Sequence, residues 1–562
     1  MSRTCGAPGA LRRWRHFTVV GCFVLACLAI VGRVGYLNVT QRDFLQQQGD
    51  ARSIRSETVP AYRGLVFDRY GEPLAVSTPV VAVWMDPSRN SLGEADVSRL
   101  AALLDLDADR LQVELAASAH REFLYLRRRV SLELAGSVRA LGLNGVYFQN
   151  EYRRYYPAGE TTAHVVGMTG VDDAGLEGVE LSFDEVLRGQ SGRKVVLKDR
   201  RGDTVKDLEF VSAPRFGSDL RLSLDLRLQF LAYRELKAAV AGHRAASGSL
   251  VMLDVATGEI LALVNQPSYN PNDFTPGDTA GMRNRAVTDI YEPGSTVKPF
   301  TVLAALESGD FAADSAIDTS PGYFSVGSKL VEDPADRGVL TLEQTLQKSS
   351  QVGIAKVALA LQDRAVFDVL VRAGMGSYMG TGLPGEAVAA INDAGLGDPV
   401  VRTTLAYGYG LALSPLQLAH AYLTLASGGL RRPLSLLRQE KPPDTTRVFP
   451  AALAREVIAM METVTADTGT APKARVPGYR VAGKTGTARK VGSDGYDDER
   501  HVALFAGLAP VSAPRLVVVV VINEPQGQLR GGGEVAAPVF ARVVARSMRL
   551  LGVKPDGPGD AA

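Results

Sequence analysis

The stretch YEPGSTVKPF, residues 291–300, sets a hydroxyl (Ser295) and an amine (Lys298) three residues apart, with Pro-Gly before them and proline after. Proline donates no N–H, and only the first turn of a helix tolerates it. A helix is therefore predicted to start near Ser295 and to run through FTVLAALES to a stop at Gly309. Ser295 then sits at the positive end of the helix dipole, and Lys298 lies one turn on, on the same face, about 5–6 Å away at Cβ. A lysine of ordinary pKa, about 10.4, is a poor base at neutral pH. Partial burial or a second cation would lower that value, and the neutral amine would then take the serine proton. The plainer reading is an ordinary helix start with a surface lysine. Ser-x-x-Lys is a short pattern, and SGRK at 191–194 matches it by chance inside a strand-like run with no Pro-Gly before it.

Two further segments bear on the choice. QKSSQVG (347–353) lies between helix-like runs and offers the hydroxyl of Ser349 and the carboxamide of Gln351. AGKTGTA (482–488) reads as a strand carrying Lys484, Thr485, Gly486 and Thr487. Gly486 removes a side chain where a ligand backbone would approach. Lys484 either keeps Lys298 neutral by like-charge repulsion or binds a carboxylate.

Outward from these segments, the patterning predicts one large domain over 216–552. DLRLSLDLRLQFLAYRELKAAVAG passes from alternation into an amphipathic helix, and GSLVMLDVATGEILALVNQP (248–267) reads as a hairpin turning at Thr257-Gly258. Helices dominate from 294 to about 465. Strands return at 479–491, 501–510 and 515–525. The last, RLVVVVVINEP, has the β-branched run of a central strand covered on both faces. One sheet is thus expected to collect strands from both ends of the domain, with APVFARVVARSMRLLG (537–552) as closing helix and 553–562 as a flexible tail. Residues 56–215 mix short strand-like runs (80–85, 145–150, 193–199) with a helix-like run at 93–106, and carry no catalytic cluster.

The first residues read as a membrane anchor. Arg3, Arg12, Arg13 and Arg15 precede an apolar run that spans 17–37 with Arg33 near its far end. Such a length crosses a hydrocarbon core of about 30 Å, and Arg33 can snorkel. The leading arginines place residues 1–16 in the cytoplasm and the bulk outside. A cleaved signal peptide or a lipoprotein site at VVGC or VLAC are the alternatives; no A-x-A site follows the run, and more apolar residues follow each cysteine. Residues 38–55 are polar and read as a stalk. In the 562 residues all three cysteines lie in the first 27, so neither a disulfide framework nor a zinc-type cysteine cluster is possible in the body. Six scattered histidines show no metal-ligand spacing, and a net charge of +1 gives no basic footprint for nucleic acid.

Ser-x-x-Lys, a second serine motif and Lys-Thr-Gly, in that chain order, resemble the set found in penicillin-binding proteins and serine β-lactamases. Longer stretches carry the resemblance further: RGLVFDRYGEPLAVS (63–77), RRYYPAGETTAHVVGMTGVDDAGLEGVE (153–180), LDVATGEILALVNQPSYNPN (253–272), YGYGLALSPLQLAHAY (407–422) and VVVINEPQGQLRGGGEVAAPVF (519–540). Nearly the whole chain is similar to class B penicillin-binding proteins, specifically the division-specific peptidoglycan D,D-transpeptidases of the FtsI family. The resemblance implies an α/β (α+β) fold. Its transpeptidase domain has a mainly antiparallel sheet with helices on both sides, and a mixed α/β pedestal and one transmembrane helix complete the chain.

It also implies roles. Ser295 attacks the carbonyl between the terminal D-alanines of a stem peptide, and Lys298 is the general base. Ser349 relays the proton to the leaving D-alanine. Lys484, Thr485 and Thr487 hold the substrate carboxylate, with Gly486 between them, and the N–H groups of Ser295 and Thr487 form the oxyanion hole. β-Lactams trap the same serine, and no cofactor or metal is implied. The second motif of the family ends in asparagine; here Gln351 keeps the carboxamide one methylene further out, still within reach of Lys298 and the substrate amide. No glycosyltransferase module precedes the transpeptidase, so strand polymerisation is expected to fall to a SEDS glycosyltransferase (FtsW-like) partner, met through anchor and pedestal together with other division proteins. The implied location is the inner membrane at the division site, with a periplasmic catalytic domain. Two rivals stand beside this reading: a D,D-carboxypeptidase or β-lactamase-type hydrolase, and a catalytically weak paralogue serving as a division scaffold.

Overall fold

The computed structural model describes residues 10–89, 92–198, 204–274, 279–388, 391–492 and 495–557. The chain divides into two compact units. One holds the residues up to Ala61, Pro79–Glu151 and Gln190–Arg215; the other holds Tyr62–Thr78, Tyr152–Gly189 and everything from Phe216 on. Two pieces of the stretch expected as a pedestal thus pack with the large unit, although they lie far from it in sequence.

The N-terminal helix runs Ala10–Val39, exposed from Arg13 to Tyr36 and long and apolar enough to cross a membrane. It begins inside the segment expected as a cytoplasmic tail, of which 1–9 lie outside the described residues. The polar stretch expected as a stalk forms a second helix, Arg42–Ser53, and enters a strand at Ile54. In the smaller unit, strand Ile54–Val59 pairs antiparallel with Gly192–Lys198, which pairs with Thr204–Ser212. A small core forms under helices Glu94–Leu104 and Ala108–Ala117 around Leu100, Leu104 and Met85.

The large unit is built on a five-stranded antiparallel sheet. Its strands are β1 (Ser247–Asp254), β2 (Ile260–Gln266), β3 (Ala482–Gly492), β4 (Gly495–Ala509) and β5 (Leu516–Asn523), in the order β2-β1-β5-β4-β3. The sheet does gather its strands from both ends of the domain, and the predicted hairpin turns at Gly258. β5 lies in the middle and every one of its residues is buried, as its β-branched run requires. Helices of this unit include α1 (Leu226–Gly242), α2 (Lys298–Ser308), α3 (Gln351–Ala360), α4 (Pro415–Ala426) and α5 (Ala537–Leu550). α1 and α5 pack on each other and on the sheet, and α4 packs on β1 and β5. β3 is an edge strand, with β4 as its one neighbour among the described residues.

The C-terminal stretch expected as a flexible tail is, in its described part, tied down. Tyr479 donates its hydroxyl to Val553 O, and the Asp556 carboxylate accepts from the N–H groups of Arg480 and Ser512. A single acidic side chain satisfies two loop donors there, which the composition of the segment does not reveal; 558–562 lie outside the described residues.

The large unit also contains a buried ion cluster. Arg63 and Arg154 both hold Glu180, through Oε2 at 2.5 Å and Oε1 at 2.6 Å, and Arg63 also reaches Asp184. Arg63, Arg154 and Glu180 are at most 4% exposed. Arg63, the first residue of RGLVFDRYG (63–71), staples two segments more than a hundred residues apart. Removing one partner of such a cluster leaves buried charge uncompensated, typically a loss of about 3–5 kcal/mol. Glu180→Ala should therefore lower the thermal midpoint of the purified chain by many degrees. A midpoint within a degree of wild type would show the cluster to be dispensable.

Candidate active site

Ser295 lies in a 3-10 turn, Gly294–Val297, that leads directly into α2. Pro299 occupies the first turn and Gly309, with φ of 80°, ends the helix, as the breaker pattern predicted. Every residue of α2 from Lys298 to Leu306 is buried, so Lys298 is not a surface lysine. The turn is fixed from two sides: Tyr422 of α4 donates its hydroxyl to Thr296 O at 2.7 Å, and Thr296 donates its own to Pro293 O.

The third segment meets the first through Gly486. A Cβ on this residue would stand 2.9 Å from Pro293 O and 2.9 Å from Thr296 Cγ2. The missing side chain therefore admits the turn that carries Ser295 against β3, rather than a ligand backbone as the sequence suggested. β3 carries Lys484 opposite Ala506 of β4 and Thr487 opposite Ala503.

The second segment closes the site. Ser349 adopts the left-handed conformation, φ 58°, just ahead of α3. Its hydroxyl oxygen accepts from Lys484 Nζ at 2.9 Å and from Lys298 Nζ at 3.3 Å, and its carbonyl oxygen accepts from Lys298 Nζ at 2.6 Å. With both amines donating to it, the Ser349 hydroxyl keeps its own proton free to give. The hydrogen bonds recorded for Lys298 go to Ser349, and none joins it to the Gln351 carboxamide, contrary to expectation. Gln351 is the first residue of α3, half-buried, and its backbone N–H is held at 2.5 Å by Asp333 Oδ1.

Both lysines are completely buried. Burial drives the Lys298 amine down from its ordinary value to about 7, and the Asp333 carboxylate opposes that shift. Lys484 is driven well below its ordinary value, first by burial and then by the charge of Lys298. The repulsion anticipated between the two amines is present, but it acts on Lys484; desolvation alone brings Lys298 into range.

The threonines of β3 are also tethered. Thr485 Oγ1 lies 3.0 Å from Thr470 Oγ1, and Thr487 Oγ1 accepts the N–H of Gly532 at 3.1 Å. A Cβ at Gly532 would come within 2.1 Å of Leu504 O and 2.4 Å of Gly486 O, so glycine is needed for this approach. Because the Gly532 N–H can only donate, the Thr487 hydroxyl proton is left to point elsewhere. Asp333, Thr470 and Gly532 escape the sequence reading, since none stands in a catalytic motif.

Chemically, the arrangement offers a hydroxyl on a helix-start turn, an amine that is half neutral near pH 7, a second hydroxyl bridging two amines, and an edge strand with hydroxyls beside it. This is the equipment for acyl transfer to serine. Comparison with known proteins gives the class. The family model for the penicillin binding protein transpeptidase domain matches residues 248–545, which include every residue of the site, and that for the penicillin-binding protein dimerisation domain matches residues 58–222. The fold is that of a penicillin-binding transpeptidase. Over 548 residues the chain is 43% identical to the peptidoglycan D,D-transpeptidase FtsI of Escherichia coli strain K12, covering 97% of this chain and 93% of the relative. Among solved structures, a peptidoglycan synthetase from Bifidobacterium adolescentis superposes with a TM-score of 0.71 at 26% identity, covering 91% of this chain and 99% of that one. Penicillin-binding protein 3 of Mycobacterium tuberculosis in complex with aztreonam superposes with a TM-score of 0.68 at 27% identity, covering 89% and 98%. The chain belongs to the FtsI family of class B penicillin-binding proteins.

A lysine whose pKa is lower in the folded than in the unfolded chain costs stability wherever the unfolded chain is protonated. For Lys298 that penalty is full below about pH 7 and fades as pH rises toward about 10, so its contribution makes stability rise with pH across this window. Lys298→Met should accordingly melt higher than wild type at pH 7, with the gap shrinking by pH 10. A lower melting temperature at pH 7 would show that the amine is not held uncharged by burial.

Proposed function

We propose that this chain is a peptidoglycan D,D-transpeptidase that cross-links stem peptides at the division septum through an ester on Ser295, and that β-lactams acylate the same oxygen. The observation that carries this reading is the Ser349 hydroxyl held between two buried amines, beside the turn that presents Ser295.

Lys298 takes the Ser295 proton as Oγ attacks the carbonyl carbon of the penultimate D-alanine. The N–H groups of Ser295 and Thr487 receive the developing oxyanion, each donor contributing about 3–4 kcal/mol in comparable sites. As the C–N bond breaks, Ser349 passes a proton to the leaving D-alanine and is recharged from the lysines behind it. Thr485 and Thr487 meet the terminal carboxylate. Lys484 is fully buried and acts from behind, through Ser349 and the Thr485 hydroxyl, rather than as a bare cation facing the cleft. The open edge of β3 suits a substrate strand laid alongside it. In the second half, the amine of another stem peptide attacks the ester carbonyl, forms the amide cross-link and returns the proton-bearing Ser295. Gln351 fits this scheme as a substrate-facing carboxamide at the start of α3, with the Ser349 contacts to the lysines independent of its length.

The helix Ala10–Val39 serves as anchor, with the N-terminus in the cytoplasm and the body in the periplasm, in keeping with the arginines that lead it. Strand polymerisation falls to a SEDS glycosyltransferase (FtsW-like) bound through anchor and pedestal.

Fluorescent penicillin should label the full-length chain at Ser295, with slow turnover. Ser295→Ala should abolish labelling, and Lys298→Arg should slow it about 100- to 10,000-fold, the usual weight of a general base. Because the neutral amine acts, the labelling rate should climb with pH through about 7 to a plateau. Gln351→Asn should change it less than tenfold. Rapid release of opened penicillin would mark a hydrolase, and absence of labelling in wild type would mark a scaffold; either result removes the transpeptidase reading.

A further inference from the structure

The geometry points to Asp333 as the positioning residue of this site: its carboxylate clamps the start of α3 so that the Ser349 hydroxyl stays between Lys298 and Lys484, and it supplies negative charge beside the Lys298 amine. This rests on the reading of Ser295 and Lys298 given above.

Ser349 needs a clamp. A non-glycine residue in the left-handed region is strained by about 1–3 kcal/mol and persists only where its surroundings over-determine it. On its N-terminal side the chain is held by Ser349 N–H to Leu346 O and Ser350 N–H to Thr345 O. On its C-terminal side the holding group is Asp333. Oδ1 accepts from the N–H of Gln351 at 2.5 Å and of Val352 at 3.3 Å, and Oδ2 accepts the hydroxyl proton of Ser350. The polarity is consistent. Ser350 caps α3 by accepting the Gly353 N–H at 2.8 Å, so its own proton is available for Asp333. A carboxylate also suits the positive end of a helix. Asp333 is itself fixed, since it follows the hairpin of Tyr323–Val326 and Lys329–Glu332 and its N–H bonds to Gly322 O at 2.8 Å.

The charge has a second effect. Lys298 faces Lys484 from β3, the uncharged Ser349 from the turn before α3, and the field of Asp333 from the loop after the hairpin. Burial alone would push the amine lower; the carboxylate holds it near 7. Asp333 thus keeps Lys298 basic enough to take a proton while burial keeps it free of one. Nothing in the motif sequence signals this: Asp333 lies 16 residues before Ser349 and outside all three motifs.

The test is the pH dependence of penicillin acylation, from about pH 5.5 to 9, for the detergent-solubilised full chain and three variants. Asp333→Asn is near-isosteric and keeps an acceptor for the Gln351 N–H while losing the charge. Its midpoint should move to lower pH by about half a unit to one unit. Asp333→Ala loses the clamp as well, and its plateau rate should fall at least about tenfold even where thermal melting shows a folded chain. Asp333→Glu should restore the midpoint toward wild type. Superimposable profiles for wild type and Asp333→Asn would overturn the electrostatic part. An unchanged plateau in Asp333→Ala, or a lower melting temperature with an unaltered pH–rate curve, would reduce Asp333 to an ordinary helix cap. If wild type itself takes up no penicillin, the failure belongs to the assignment of Ser295 and not to Asp333.

Discussion

Two lysine amines, both cut off from water, share one serine hydroxyl. Most of what is particular about this chain follows from that contact. Two ammonium groups about 5 Å apart would repel by about 3 kcal/mol even at an effective dielectric of 20, and each would also lose its hydration. The fold reduces both terms because burial lowers the proton affinity of both amines. On the proposed reading, this lets a lysine, ordinarily an acid at neutral pH, act as a base toward Ser295. Ser349, receiving a hydrogen bond from each amine, becomes a hydroxyl whose proton is available and whose replacement is close at hand.

The rest of the large unit holds that contact in place. Among the described residues β3 is held in register by β4 along one edge, which fixes Lys484, and has no strand on the other. α2 is buried from Lys298 to Leu306, which shields the Lys298 side chain from solvent. The turn before α3 is kept in a conformation it would not choose alone, with Asp333 on one side and the preceding helix on the other. Each glycine at the junction of β3 marks a backbone approaching too closely for a side chain: the turn that carries Ser295 against Gly486, and β3 with β4 against Gly532. Function is thereby tied to packing, because a shift of any of the three segments would readmit water and restore the ordinary charge of the lysines.

Much of this was legible in the sequence where the signal is local. Pro299 and Gly309 bracket α2, the turn at Gly258 sets the first hairpin, and the run of valines in β5 announces a buried central strand. The motif residues Ser295, Lys298, Ser349 and Lys484 were nameable because they lie in short patterns of fixed order. What was not legible depends on partners far away in the chain. The Arg63–Glu180–Arg154 cluster, the Asp333 clamp and the Asp556 anchor each join segments whose proximity no periodicity encodes. The interleaving of the two units is hidden for the same reason: short pieces around residues 62–78 and 152–189 pack by contacts, not by composition. Gln351 shows the limit at the scale of one side chain. Its carboxamide was expected to hold Lys298, but the left-handed backbone at Ser349 brings that residue's own carbonyl to the amine instead.

The most direct test of the central claim is to watch the two amines titrate. Carbon NMR of lysine side chains labelled at Cε, assigned with Lys298→Arg and Lys484→Arg, reads each protonation state across pH in the folded chain. One resonance should change near pH 7 and the other should titrate well below the ordinary lysine range. Two resonances that both titrate near 10, like exposed lysines, would contradict the account.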